Sequence, residues 1–314
     1  MLLLKLKRLS IESKLKILAI FPLIFIIGLS FFMIYDSYEK DLKLKNVEKL
    51  LILNTKISLL LHETQKERGL SVAYLESKND TFKKNLLNQR ELTNNKIDEF
   101  KTYLVDFSYY PNQGKINIEN VLKELSKIEN IRNEINELKV KSKNVISYYS
   151  NLNSSLLSFV ANSSYIAENE KIINNLTAYY NFLMAKERAG LERAMGSNTF
   201  TNKTFGEGMF LNFLSLINEQ TVFMENFYIY GFDYEEFVKE KMQNSSVKEV
   251  QKMRDILLSY GENKNVIFDI EASYWFKTIS EKINILKEID DYISKDIIEQ
   301  IINAWKMYEN QKMD

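Results

Sequence analysis

The chain has 314 residues, 45% of them hydrophobic and 12% aromatic, and its 42 Lys plus Arg balance 42 Asp plus Glu, leaving no net charge at pH 7. That is enough apolar material for one large domain or two ordinary ones, and the absence of a basic excess excludes a global electrostatic footprint for nucleic acid. With no cysteine and a single histidine, His62, disulfides, thiolate metal sites and histidine-based triads are excluded, so no cofactor, no metal and no enzymatic activity are expected.

In chain order, residues 1–16 form a basic N-terminus, with Lys5, Lys7, Arg8, Lys14 and Lys16 against Glu12 alone. The stretch from Ile17 to Tyr35, ILAIFPLIFIIGLSFFMIY, carries no charge and as a helix is long enough to span ~30 Å of hydrocarbon. Asp36, Glu39 and Asp41 follow it, with Lys40. The basic flank predicts a cytoplasmic N-terminus and a single pass through the inner membrane, with residues 36–314 on the extracytoplasmic side. The run exceeds the apolar core of a signal peptide, and the bulky FFMIYDSYEK has no small-residue cleavage site, so an uncleaved anchor is expected.

Beyond the anchor, prolines and glycines are sparse and long segments repeat apolar residues at helical spacing. Helices are predicted over 42–75, 82–107, 118–138, 145–160, 166–195, 209–230, 234–260 and 267–308. Turns are read at YYPNQG (109–114), YGFD (230–233) and YGENKN (260–265), with a polar loop at GSNTFTNKTFGEG (196–208). No run alternates as a strand does. A short echo, x-Lys-Glu-Arg-small, recurs 120 residues apart in QKERGLSVAYL (65–75) and AKERAGLERAM (185–195). The expected fold is all-α: two stacked antiparallel four-helix bundles with long helices, dividing near residue 162 and preceded by one transmembrane helix.

The arginines stand out in a chain that otherwise uses lysine: Arg8, Arg68, Arg90, Arg132, Arg188, Arg193 and Arg254. Steps of three and four put Arg68 on the apolar stripe Ile57, Leu61, Gln65, Val72, Leu75, and Arg188 on the stripe Tyr180, Met184, Leu191, Met195. Arg193 falls on another face, with Ala189, Gly190 and Gly196. A guanidinium on a core stripe stays charged and needs a carboxylate, carbonyls, water or an anion. Glu63, Glu67, Glu187 and Glu192 are near in sequence, Glu192 one turn from Arg188, so internal salt bridges are one reading. Bidentate binding of a flat oxyanion by arginine's planar fork is the other.

HETQKERGLSVAYL (62–75), AKERAGLERAMGSNTF (185–200), VQKMRDILLSYG (250–261) and EASYWFKTISEKINILKEID (271–290) together resemble the nitrate- and nitrite-sensing (NIT) domain over roughly residues 45–300. The resemblance implies an all-helical sensor of two four-helix bundles, as in chemotaxis receptors, histidine kinases and an antiterminator. It also implies a nitrate or nitrite pocket between helices lined by arginines, which here are Arg68, Arg188 or Arg193, and Arg254; the stripe argument prefers Arg188. Signalling members continue into a second membrane helix and an output region. The sequence ends at AWKMYENQKMD without them, so a homodimeric receptor lacking its output region, or a tethered sensor passing its signal to a partner protein, is expected. Two other readings stay open: a structural or protein-interaction helical module with the arginines in internal salt bridges, and a sensor of another small anion. His62 is read as a surface or interhelical hydrogen-bonding residue, Trp275 and Phe276 as core, and KVKSKN (139–144) as a solvated face.

Overall fold

A computed structural model describes residues 10–106, 112–163 and 170–311. Among them the structure is helical throughout with no strand: α1 Ile11–Ser77, α2 Asp80–Asp106, α3 Asn112–Leu125, α4 Ile128–Asn136, α5 Ser142–Ser163, α6 Glu170–Asn202, α7 Met209–Tyr230, α8 Glu235–Lys241, α9 Ser245–Leu258 and α10 Ala272–Gln311. Single 3₁₀ turns lie at Phe232–Tyr234 and Ser259–Gly261.

The anchor and the first predicted helix are one element. α1 runs for 67 residues, about 100 Å at 1.5 Å per residue, from a Ser10 cap whose hydroxyl accepts the Ser13 N–H to a left-handed Lys78. Its N-terminal third is apolar and long enough to cross a membrane, and none of that stretch is buried against the rest of the chain. From Val47 onward the same helix enters the core, where Leu53, Ile57, Leu60 and Leu61 are fully buried.

The other helices close into two four-membered groups. α1, α2, the α3–α4 pair and α5 surround Phe100, Val121, Ile135 and Leu152; α6, α7, the α8–α9 pair and α10 surround Phe182, Phe213, Val238 and Ile279. α1 and α6 also pack on each other, and α1 on α10, which joins the groups. α5 ends at Ser163, and residues 164–169 that follow it lie outside the described residues.

The third helix of each group departs from the sequence expectation. The predicted helix 118–138 begins at Asn112 and breaks at Ser126–Lys127, and the predicted 234–260 breaks between Lys241 and Ser245, where Asn244 caps α9 by accepting the Ser246 N–H at 2.9 Å. The turn at 109–114 lies partly outside the described residues. The loop expected at 196–208 is shorter, because α6 continues to Asn202. Gly196 sits inside that helix with the Trp275 indole flat against it, a contact that no larger residue allows.

Candidate functional site

α6 lies between the two groups, packed by α1, α5, α7 and α10, and is buried on nearly every side. A helix enclosed in this way must satisfy its polar side chains internally, since an unpaired buried charge costs several kcal/mol. Three polar clusters along α1 and α6 do this.

The central cluster joins the two helices. Arg68 is fully buried and donates Nη1 to Glu187 Oε1 at 2.5 Å and Nη2 to Glu187 Oε2 at 3.4 Å, with Ser150 Oγ 3.2 Å from Nη1. Glu187 Oε2 also accepts from Gln65 Nε2 at 2.7 Å and Asn153 Nδ2 at 3.1 Å. Beside them Arg193 donates Nη2 to the Gln65 carbonyl and Nη1 to Ser280 Oγ, both at 3.0 Å, and stacks over the Phe276 ring at 5.2 Å. Burial first, and then the charge of Arg68, pushes the Arg193 pKa down to about 10, with Glu187 opposing. Among the described residues no ion pair neutralises Arg193, and the Nε atoms of both Arg68 and Arg193 are buried without an acceptor.

Two glycines make this crossing possible. A Cβ on Gly190 would lie 2.8 Å from Arg68 Nη2, and one on Gly69 would lie 3.1 Å from Arg193 Nη2. Each arginine therefore lies across the backbone of the opposite helix at a glycine, and the relation is reciprocal.

The flanking clusters each draw side chains from four helices, α1, α2, α4 and α5 in one group and α6, α7, α9 and α10 in the other. In the first, Glu67 accepts Arg132 in a bidentate pair at 2.7 and 2.9 Å and the Tyr149 hydroxyl at 2.7 Å, with Arg90 Nε at 3.7 Å. In the second, Glu192 accepts Arg254 in a bidentate pair at 2.5 and 2.6 Å and Gln220 at 2.9 Å, and Lys282 faces the same group. Burial favours a neutral Glu192, but Arg254 outweighs it and lowers the carboxyl pKa; burial, and then Arg254, pushes Lys282 down to about 8. The internal repeat thus has a different register from the one its letters suggest. Glu67, paired with Arg132, corresponds to Glu192, paired with Arg254. Arg68 corresponds in position to Arg193, each lying at a glycine of the opposite helix and donating to a serine. The offset is 125 residues, rather than the 120 that relates Glu67 and Arg68 to Glu187 and Arg188.

A model of the nitrate and nitrite sensing family matches residues 59–298, most of the chain. The chain belongs to the NIT family. A solved structure described as that of the NasR transcription antiterminator shares the fold, with a TM-score of 0.78, 18% identity, and coverage of 89% of this chain and 75% of that one. No curated protein matches the chain.

Within the NIT fold the arginines selected from sequence do not converge on one point. Arg68 and Arg193 are side by side. Arg254 is in the second-bundle cluster, held by Glu192. Arg188 points outward to α7, where its Nε donates to Glu219 at 2.6 Å and its guanidinium stacks on Phe223. The stripe preference for Arg188 over Arg193 therefore does not describe the packing: Tyr180, Met184, Arg188, Leu191 and Met195 form the least buried face of α6. Nor does Glu192 pair with Arg188 one turn away; it faces Arg254.

Gln65, Glu187, Asn153 and Ser280 complete the centre and were not among the site residues read from sequence. Glu187 is read from sequence only as a candidate internal salt-bridge partner, and Gln65 and Ser280 are marked only by lying within the quoted motifs. Cavities of about 330, 900 and 370 Å³ have no arginine in their walls; the largest of these three opens between the bundles, over Val72, Ile146, Leu191 and Met195. His62 is buried rather than on the surface, its Nδ1 without a partner. Burial, followed by Lys186, Lys66 and Lys287, pushes its pKa down to about 2 against a smaller opposing effect of Asp290.

Proposed function

We propose that the protein is a membrane-anchored sensor whose domain, residues 36–314, binds nitrate or nitrite at the Arg68–Arg193 centre between α1 and α6. The observation that carries this reading is Arg193, a buried guanidinium that no carboxylate pairs with among the described residues, beside a second one whose single carboxylate there is already engaged. Two orphaned Nε–H donors point the same way, because a planar monoanion offers acceptors in the geometry of an arginine fork. Membership of a nitrate- and nitrite-sensing family makes that anion the natural candidate. In this reading Arg254 orders α9 through Glu192 and influences the centre indirectly, and Arg188 ties α6 to α7.

The signal follows from the same elements. An anion that binds one arrangement of α1 and α6 better than another shifts their packing. α1 is continuous from Arg68 to the apolar segment, so a displacement at the site is carried along one helix towards an inner membrane. The basic N-terminus places that end in the cytoplasm and the sensor domain outside. A homodimer of chemoreceptor type, coupled to a signalling partner, completes the proposal.

A second reading, a helical module stabilised by internal ion pairs, is favoured by the carboxylate partners of Arg68, Arg132, Arg188 and Arg254. Thermal unfolding of the full chain in nanodiscs, in chloride-matched buffer with nitrate, nitrite, formate or sulfate, separates the two. The sensor gains stability saturably with nitrate or nitrite, by about 2.7 kcal/mol at a hundredfold excess over Kd, and Arg193→Met loses the effect. Indifference of the wild type to every anion leaves only the structural module.

A further inference from the structure

We infer that Glu187 sets the charge selectivity of the centre, restricting it to anions that carry a single negative charge; the inference rests on the anion-binding reading above. Arg68 and Arg193 bring two positive charges into a buried space, and Glu187 is the only carboxylate that pairs with either of them among the described residues. The centre therefore holds one uncompensated positive charge. A monoanion brings it to neutrality. A dianion reverses its sign at buried side chains, where a surplus charge is poorly screened and as unfavourable as the one it replaces.

Glu187 is built to keep its charge in place. Both of its oxygens are engaged: Oε1 by Arg68 Nη1, and Oε2 by Arg68 Nη2, Gln65 Nε2 and Asn153 Nδ2. Asn153 is held in turn, because its Oδ1 accepts the Thr64 hydroxyl at 2.7 Å. The donors without acceptors, Arg68 Nε and Arg193 Nε, are not the ones Glu187 uses, so a ligand completes the hydrogen bonding of the centre while Glu187 stays where it is. Glu187 is on this account a specificity-determining residue that lowers affinity for every anion and lowers it most for dianions.

The experiment compares nitrate, a three-oxygen monoanion, with sulfite, a three-oxygen dianion at mildly alkaline pH, by calorimetric titration of the full chain in nanodiscs. The absence of cysteine removes sulfite's reaction with disulfides. In the wild type nitrate binds and sulfite binds far more weakly. Glu187→Gln is expected to bind nitrate more tightly and to improve sulfite relative to nitrate by on the order of tenfold or more. A folded Glu187→Gln that keeps the wild-type ratio overturns the inference. Ser280→Asp tests the same charge count from α10, because a carboxylate opposite Arg193 Nη1 neutralises the centre: nitrate binding should vanish while ligand-free melting temperature rises. Retained nitrate affinity in Ser280→Asp also overturns it. A wild type that binds no anion defeats the sensing reading instead, so the two failures are distinct.

Discussion

The Arg68 guanidinium lies across the backbone of Gly190, so close that a Cβ on the glycine would stand 2.8 Å from Nη2. Gly190 is in the interior of a 33-residue helix, where glycine costs roughly 0.5–1 kcal/mol relative to alanine. Intrinsic helix preference alone would make Gly190→Ala stabilising. The crossing predicts the opposite: the added methyl displaces Arg68 from Glu187, and stability falls by about 1–3 kcal/mol, as for an overpacked core. Chemical denaturation in detergent micelles measures this, with loss of the anion response as the companion result.

Arg193 and Glu67 should respond in opposite directions to removal of charge. Glu67 is fully buried and is the buried carboxylate of both Arg132 and Arg90, Glu129 being Arg132's exposed second partner, so Glu67→Gln removes the buried counter-charge of two guanidinia and should cost about 3–5 kcal/mol. Arg193→Met takes away a charge that no carboxylate pairs with among the described residues and leaves a flexible side chain against Phe276. Its ligand-free stability should equal or exceed that of the wild type. A large loss in Arg193→Met would mean that its bonds to Ser280 and the Gln65 carbonyl outweigh the buried charge.

His62 predicts an acid-sensitive fold. Its folded pKa is pushed down to about 2 from an ordinary value of 6.5, by burial and by Lys186, Lys66 and Lys287 against Asp290. Above pH 6.5 the imidazole is neutral in both states and contributes no pH dependence. Below it the unfolded chain takes up a proton that the folded one refuses, so stability falls with pH by up to about 1.4 kcal/mol per unit. Unfolding free energies between pH 7 and pH 5 should show this slope, and His62→Gln should flatten it.

Asp290 is the fully buried partner of Lys186, 2.5 Å away, and also accepts from Ser58 at 2.6 Å and Tyr179 at 2.8 Å. Burial alone would raise its pKa, but Lys186 and Lys287 hold it at about 2, so its contribution is present above the ordinary value of 3.8 and lost as pH falls through 2. Asp290→Asn strands the ammonium of Lys186 and should cost about 3–5 kcal/mol, whereas a Lys186→Met/Asp290→Leu pair should recover most of the loss. Denaturation of the single and double variants gives the coupling energy.

The sequence by itself determined the helical class, the apolar segment and most helix boundaries, because these depend on local properties: few breakers, apolar residues at helical spacing, and nineteen residues without a charge from Ile17 to Tyr35. It also determined the family, because the motifs are contiguous strings that can be read without the fold. Which arginine is buried beside Arg68 was decided by tertiary structure. Periodicity separates inside from outside only when a helix has one solvent face, and α6 has packing partners nearly all round, so its most regular apolar stripe is its least buried one. Ion pairing likewise followed space and not sequence distance: Arg68 found Glu187 across 119 residues, while Glu192 passed over Arg188 one turn away for Arg254. A buried guanidinium takes the carboxylate that the packing of several helices presents to it, and that geometry exists only once the bundles have closed.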